Sequence, residues 1–327
     1  MSEVFQLAGI LKLVWPVENG KIEDVNAWEK LVHGIFYREL KIDPSERFII
    51  FLTEPYLYSI DLEKLGEILF ETFNFAGAGF LSIRDILPLM GMKNFIFGNI
   101  GDRVTYFSSS YDGEYVNSVK YNFGGGKLTD YLKRLLRQRY SDIDFRISSI
   151  PFLEALKRDY CFVSLDAEKQ FEQQSRCYYL KKEVTTPTKK VIIDVERFLV
   201  PEALFNFKTV ALELDVNSIP EIILSLYDNL DSDIKDECIK NIIITGGSAG
   251  FPNLSIRIRN ELKKSQSLAN TEFKIFIPER PDTYLLEYVQ RNIESIMEME
   301  NGPVYFITRK KYNDVGPKIM WGVSHDY

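Results

Sequence analysis

Cysteine and histidine are scarce in this chain. Among 327 residues there are three cysteines, Cys161, Cys177 and Cys238, with no C-x-x-C pair, and two histidines, His33 and His325, near opposite ends. The length excludes a small disulfide-stapled scaffold, and the cysteine usage fits a reducing compartment. A histidine-built zinc site would need both imidazoles together with distant carboxylates, so no metal site is expected. An excess of positive charge is missing too: 40 Lys and Arg against 47 Asp and Glu leave a net charge of −7. A surface made to neutralise many phosphates is therefore not expected, while a local basic patch is still allowed. No apolar run approaches the roughly 20 residues that a membrane-spanning helix needs. The start MSEVFQLAG lacks the charged-then-apolar layout of a signal peptide. An intracellular protein without membrane partners is expected.

What is present is an ordinary globular composition, 45% hydrophobic and 27% charged, long enough for about two domains. Residues 10 to 17, ILKLVWPV, read as a strand running into a turn at Asn19 and Gly20. Asp24 precedes a helix whose Trp28, Leu31, Val32, Ile35 and Phe36 recur at helical spacing, which predicts one packed face. Phe48–Leu52, FIIFL, reads as a strand covered on both faces. Leu62, Leu65, Ile68, Leu69 and Phe73 mark a second amphipathic helix, and a third is expected near Ser82–Met90. Strands follow at Asn94–Asn99 and Tyr106–Ser109, and a helix opens at Thr129.

Beyond it, Ser141–Glu196 is more polar and reads as a separate lobe, with a helix at Ile150–Tyr160 and a loop at Lys181–Lys190. A helix at Ile219–Leu230 tolerates Pro220 in its first turn. Asn241–Thr245, NIIIT, is a buried strand, followed by a helix at Phe251–Leu262 and a strand at Phe273–Ile277. The alternation of strand and helix predicts an α/β architecture.

Three glycine-bearing turns stand at strand ends: Gly101-Asp102, Gly124-Gly125-Gly126, and Gly246-Gly247-Ser248-Ala249-Gly250. Each alone is explained by a tight turn, but together such turns can converge on one nucleotide. Around these residues the chain resembles the actin family. The resemblance rests on WPVENGKIEDVNAWEKLVHGIFYRELKI, FLTEPY with ILFETFNF, GGGKLTDYLKRLL, DYCFVSLD, ERFLVPEALFN, NIIITGGSAGFPNLSIRIRNEL and ITRKKYNDVG, in the family's order from about Leu11 to Gly316. It implies an actin-like, ribonuclease H-like, two-lobed α/β fold, expected to be shortened at its N-terminus because the first phosphate-binding hairpin and most of the small lobe have no counterpart. It further implies subdomains at 1–91 with 292–327, at 92–124 with 209–291, and at 125–208.

The same resemblance implies ATP as cofactor, held by Gly101, Asp102, Gly125, Lys157, Gly246, Gly247 and Ser248. The second phosphate hairpin is altered, however, to Asn99-Ile100-Gly101-Asp102-Arg103, and the position of the water-orienting glutamine is Arg84. Arginine cannot accept a proton from water, so no hydrolysis and no catalytic residue are expected. The glycines suit the turns with or without nucleotide, so ATP binding stays in doubt. Within the family, TEPY, GGKL, VPEALFN and KNIIITGGS are similar to the sixth actin-related class of Swr/SRCAP-type histone-exchange remodellers.

That similarity implies a non-catalytic subunit of a multiprotein chromatin-remodelling complex. Its partners would be other protein subunits and, indirectly, nucleosomes or histones, and its location nucleus or cytoplasm, with the nucleus favoured. Independent filament formation is not expected. The alternative is a cytoskeletal actin-like protein, of dynactin type or an ATP-binding, filament-associated form, with an incomplete N-terminus. A blander possibility is a decayed paralogue.

Overall fold

The computed structural model describes residues 14–18, 21–53, 59–141, 150–173, 180–185, 190–206, 216–299 and 302–323, and for 59–61 the backbone only. Residues 10–13 of the first expected strand, Asn19, Gly20, Glu54–Tyr56, Cys177 and His325 lie outside this set. Two compact units result, one of Val14–Met92 with Thr283–Tyr327, the other containing Lys93–Asp282.

The first unit opens with a two-residue antiparallel pairing of β1 (Val17–Glu18) and β2 (Lys21–Ile22). Helix α1 (Val25–His33) begins where Asp24 accepts a hydrogen bond from the Ala27 N–H at 2.9 Å. At Gly34 it widens into a π turn that runs to Leu40. The face that packs is the one carrying Val25, Trp28, Val32 and Phe36. Leu31 and Ile35, expected on it, are 53% and 41% exposed, because the apolar stripe is wider than the contact it makes. Next come β3 (Phe48–Thr53), α2 (Ser59–Glu67) prolonged by a π turn over Ile68–Thr72, β4 (Gly77–Ser82) and α3 (Ile83–Leu89).

The second unit holds a five-stranded sheet. Its elements are β5 (Phe95–Ile100), β6 (Thr105–Tyr111), β7 (Glu114–Tyr121), α4 (Gly125–Arg139), α5 (Ile150–Tyr160), α6 (Ala167–Glu172), β8 (Lys182–Thr185), β9 (Lys190–Ile193), α7 (Glu196–Glu202), α8 (Ile219–Asp228), α9 (Lys235–Ile239), β10 (Asn241–Thr245), α10 (Leu254–Lys264) and β11 (Lys274–Phe276). The sheet order is β11-β10-β5-β6-β7, parallel across β11, β10 and β5 and antiparallel across β5, β6 and β7. Ile242, Ile244, Ile96 and Phe107 from its strands meet Leu128, Leu132, Leu136, Leu153 and Leu156 from α4 and α5 in one core.

Helix α8 is framed by a full capping box: the Glu221 N–H donates to Ser218 Oγ and the Ser218 N–H donates to Glu221 Oε2. Three expectations are corrected here. Helix α4 starts at Gly125 rather than Thr129, whose hydroxyl donates back to the Gly125 carbonyl. The loop expected at Lys181–Lys190 is not loop at its ends, since Lys182–Thr185 and Lys190–Ile193 pair antiparallel with Val184, Val191 and Ile193 turned inward, while 186–189 lie outside the described residues. The helix expected from Phe251 starts at Leu254, after a 3-10 turn over Gly247–Gly250.

The chain then returns to the first unit through α11 (Tyr284–Glu298), β12 (Tyr305–Thr308) and α12 (Arg309–Val315). The sheet there runs β12-β4-β3, with β3 parallel and β12 antiparallel to β4. Strand β3, expected to be covered on both faces, lies at the edge of this sheet among the described residues, and its Phe48 is 65% exposed. The fully buried central strand is β4, GAGFLS, whose glycines conceal it from a β-propensity reading. The rings of Phe48 and Phe306, 5.6 Å apart, close over Gly77. Beneath them Phe36 meets Phe73 and Phe75 edge-on, and Phe70 stacks on Tyr312, whose hydroxyl donates to Glu71.

In the second unit a buried ion-pair network ties α7 to α10. The Arg257 guanidinium donates to Glu202 Oε1 at 3.2 Å, to Glu261 at 2.7 Å and to the Ser164 carbonyl at 2.7 Å, with side chains of Arg257 and Glu202 only 11% and 6% exposed. Removing the cation strands a buried carboxylate, so Arg257→Met should cost about 3 kcal/mol in urea unfolding. The double variant with Glu202→Leu should recover most of that loss.

Candidate functional site

The turn between β5 and β6 is built from the backbone outward. The Gly101 N–H donates to the Val104 carbonyl, which closes the turn at 3.0 Å. Its two exposed carbonyls then receive the first donors of α4: the Gly125 N–H reaches Gly101 O at 2.9 Å and the Gly126 N–H reaches Asp102 O at 2.8 Å. Helix N-termini usually present such donors to solvent or to a ligand. Here the chain itself satisfies them. The approach is so close that a Cβ on Gly124 would stand 2.3 Å from Gly101 O.

The loop after β10 enters from the other side. Gly246 has φ +90°, and a Cβ there would lie 2.5 Å from Ile100 O and 2.6 Å from Asn99 Oδ1. Asn99, at the position where the family hairpin is acidic, has its amide oxygen 3.4 Å from the Thr245 hydroxyl, which donates to it. Ser248 is buried, and its Oγ lies 3.0 Å from the point where Gly125 would carry a Cβ. The Lys157 Nζ is 3.2 Å from that same point and Asp102 Oδ1 is 3.5 Å from it. Gly101, Asp102, Gly125, Lys157, Gly246 and Ser248 therefore meet in one place. Gly247, in the same loop, has nothing within 4 Å of its absent side chain. Arg84 belongs to the other unit, as the second residue of α3.

Lys157 comes from the inner face of α5 and is itself engaged. Its ammonium donates to the Gly125 carbonyl at 2.6 Å and to Thr129 Oγ1 at 2.9 Å, two of its three donors. Burial pushes its pKa down, and the nearby carboxylates of Asp102 and Glu154 push back. Glu154, one turn earlier on α5, is itself pushed up by burial and by the Asp102 charge. Neither Glu154 nor Thr129 was anticipated; their spacing, three residues before Lys157 and four after Gly125, is the sequence signal. Arg103 turns to its neighbour Asp102 at 3.1 Å. Arg158 pairs with Asp159 and is exposed.

A half-buried ammonium, a buried hydroxyl and a glycine without a side chain are compatible with the ribose and base side of a nucleotide. The turn at 99–103 fits its phosphates less well, because Arg103 brings a bulky side chain where the family hairpin has glycine and the Gly101 N–H is already given to the Val104 carbonyl. Among the described residues no cluster of His, Cys, Asp and Glu could hold a metal ion. The two glycines of the second loop make opposite demands. Gly246→Ala should lose at least about 2 kcal/mol of stability through its backbone conformation and the Ile100 contact. Gly247→Ala should stay within about 0.5 kcal/mol of the parent in the same thermal unfolding series.

Comparison with known proteins places these observations. The chain is 25% identical over 333 residues to actin-related protein 2 of Acanthamoeba castellanii, covering 98% of this chain and 84% of that protein. It is 28% identical over 323 residues to actin-related protein 2 of Oryza sativa, subspecies indica and japonica alike, covering 94% of this chain and 81% of those proteins. The preference for the nucleus is corrected by this finding: it rested on similarity to the sixth actin-related class, whereas these relatives bear the name of the second. They lend no support to histone exchange or to nucleosomes as partners. The family model for actin matches residues 3–320, nearly the whole chain and both units, and the chain belongs to the actin family.

Proposed function

We propose that this actin-family chain is a structural subunit of a cytoplasmic, cytoskeletal protein assembly and that it does not hydrolyse ATP. The observation that carries this is the turn at 99–103, closed on its own backbone. Its Gly101 N–H is committed to the Val104 carbonyl, and Arg103, which stands where the family hairpin has glycine, pairs with Asp102. In a hydrolytic site that turn would present donors to the β- and γ-phosphates, where they stabilise charge developing in the transition state. Arg84 adds a second obstacle, since a permanently protonated guanidinium cannot accept a proton from an attacking water. The relatives named actin-related protein 2 support the cytoskeletal setting over the chromatin one.

The residues that would hold the adenosine side of ATP are Gly125, Lys157, Gly246, Gly247 and Ser248. Binding without turnover suits a subunit whose rigid units serve as surfaces for other proteins. Phosphate release from ATP and magnesium, measured on the purified chain, should not exceed the protein-free blank. Arg84→Gln should stay equally silent, because Asn99 and Arg103 persist; steady turnover by either protein overturns the non-hydrolytic reading. Affinity purification of the tagged chain from cell extract should return cytoskeletal subunits. Recovery of histone-exchange components in their place overturns the cytoskeletal assignment.

A further inference from the structure

Helix α4 has one buried and one solvated face. Leu128, Tyr131, Leu132 and Leu136 pack into the core. Opposite them, Asp130, Lys133, Arg134, Arg137 and Gln138 line a shallow groove of about 500 Å³, and exposed Lys127 continues the same face by one turn. The positions 130, 133, 134, 137 and 138 follow the three- and four-residue spacing of a single helical stripe. Four cations and one anion on this face stand against a chain whose net charge is −7. The Arg134 guanidinium lies 5.0 Å from the centre of the Tyr131 ring, which holds it against the helix.

We propose that this groove is the docking site for an acidic, extended segment of a protein partner, an inference that rests on the subunit reading above and names its partner's chemistry. Charge complementarity gives the sign. The spacing gives the form: cations four residues apart on a helix are separated by ~6 Å along its axis. Alternate side chains of an extended peptide are separated by ~6.6 Å. Acidic residues at every second position of such a segment therefore fall opposite Lys133 and Arg137 in turn. From Lys127 to Gln138 the stripe covers ~16 Å, which an extended segment of about five residues spans. Asp130 sets the polarity, because an acidic side chain opposite it is repelled and a neutral or basic one is accepted. Arginine supplies two of the three central cations, and its planar fork meets a carboxylate with two parallel hydrogen bonds.

The test is fluorescence anisotropy with a labelled peptide of alternating Glu and Ser, about ten residues long. Saturable binding that weakens steadily with added salt is expected. The charge-reversed variant Lys133→Glu/Arg134→Glu/Arg137→Glu should bind at least about tenfold more weakly, which is about 1.4 kcal/mol. A control of equal charge change on the other unit, Lys30→Glu/Lys41→Glu/Lys310→Glu, should stay within about twofold. A neutral set, Lys133→Gln/Arg134→Gln/Arg137→Gln, repeats the test should the charge-reversed chain fail to fold, and it too should lose binding. Equal losses in the stripe and control variants overturn the proposal, as does the absence of saturable binding. Binding to phosphatidylserine vesicles without binding to the peptide overturns it in favour of a lipid surface. None of these readouts involves ATP or co-purification, so their failure is separable from failure of the subunit reading.

Discussion

Three backbone segments meet at the end of β5 with no side chain between them, and this close approach organises the second unit. Gly124 sits where a Cβ would touch Gly101 O, and Gly246 sits where one would touch Ile100 O. Backbone can come this near to backbone only at glycine. Because the chain after β10 closes on the chain after β5, the parallel pairing Ile242 to Ile96 through Thr245 to Asn99 continues to the strand ends. Because α4 starts against the same turn, its first donors are satisfied and its apolar face is delivered to the core. Lys157 then reaches across from α5 to tie Gly125 and Thr129.

That constraint bears directly on chemistry. A nucleotide site needs donors aimed outward and space left for phosphate. In this chain the Gly101 N–H closes the turn on Val104, and the side chains of Arg103 and Asp102 pair beside it. The same economy of free groups appears in the Arg257, Glu202 and Glu261 network, where each charge meets a partner at low exposure. Helix α4 unites the two themes, with its buried end at the glycine turn and its cationic stripe facing solvent.

Elements with strong local signals were legible in the residues alone. Pro220 in a first turn followed by an apolar run announced α8, and the continuous apolar run NIIIT announced β10. Strand β4 was not legible, because Gly77, Ala78 and Gly79 have low strand propensity, and they are in place only because Phe48 and Phe306 fill the room above them. FIIFL was recognised as a strand, yet its apolar run suggested a central place that belongs to β4. The loop assigned to Lys181–Lys190 hid two antiparallel strands whose inward residues are spread among lysines and threonines. At the site, the glycines, Asp102, Lys157 and Ser248 came from resemblance to a family. Glu154 and Thr129 were missed, since an exposed-looking glutamate and a helix threonine carry no motif.

The amino-acid sequence by itself determined the family, the α/β alternation, the helices with clear caps, and the substitutions Asn99, Arg103 and Arg84 at chemically sensitive positions. These are local facts of residue type and order, which no folding is needed to state. Only the tertiary structure decided that Gly101 and Asp102 give their carbonyls to α4, that Lys157 is held by Gly125 and Thr129, and that three cations of α4 share one outward groove. Such outcomes depend on which segments approach within hydrogen-bonding distance, and that is set by packing between residues far apart in the chain.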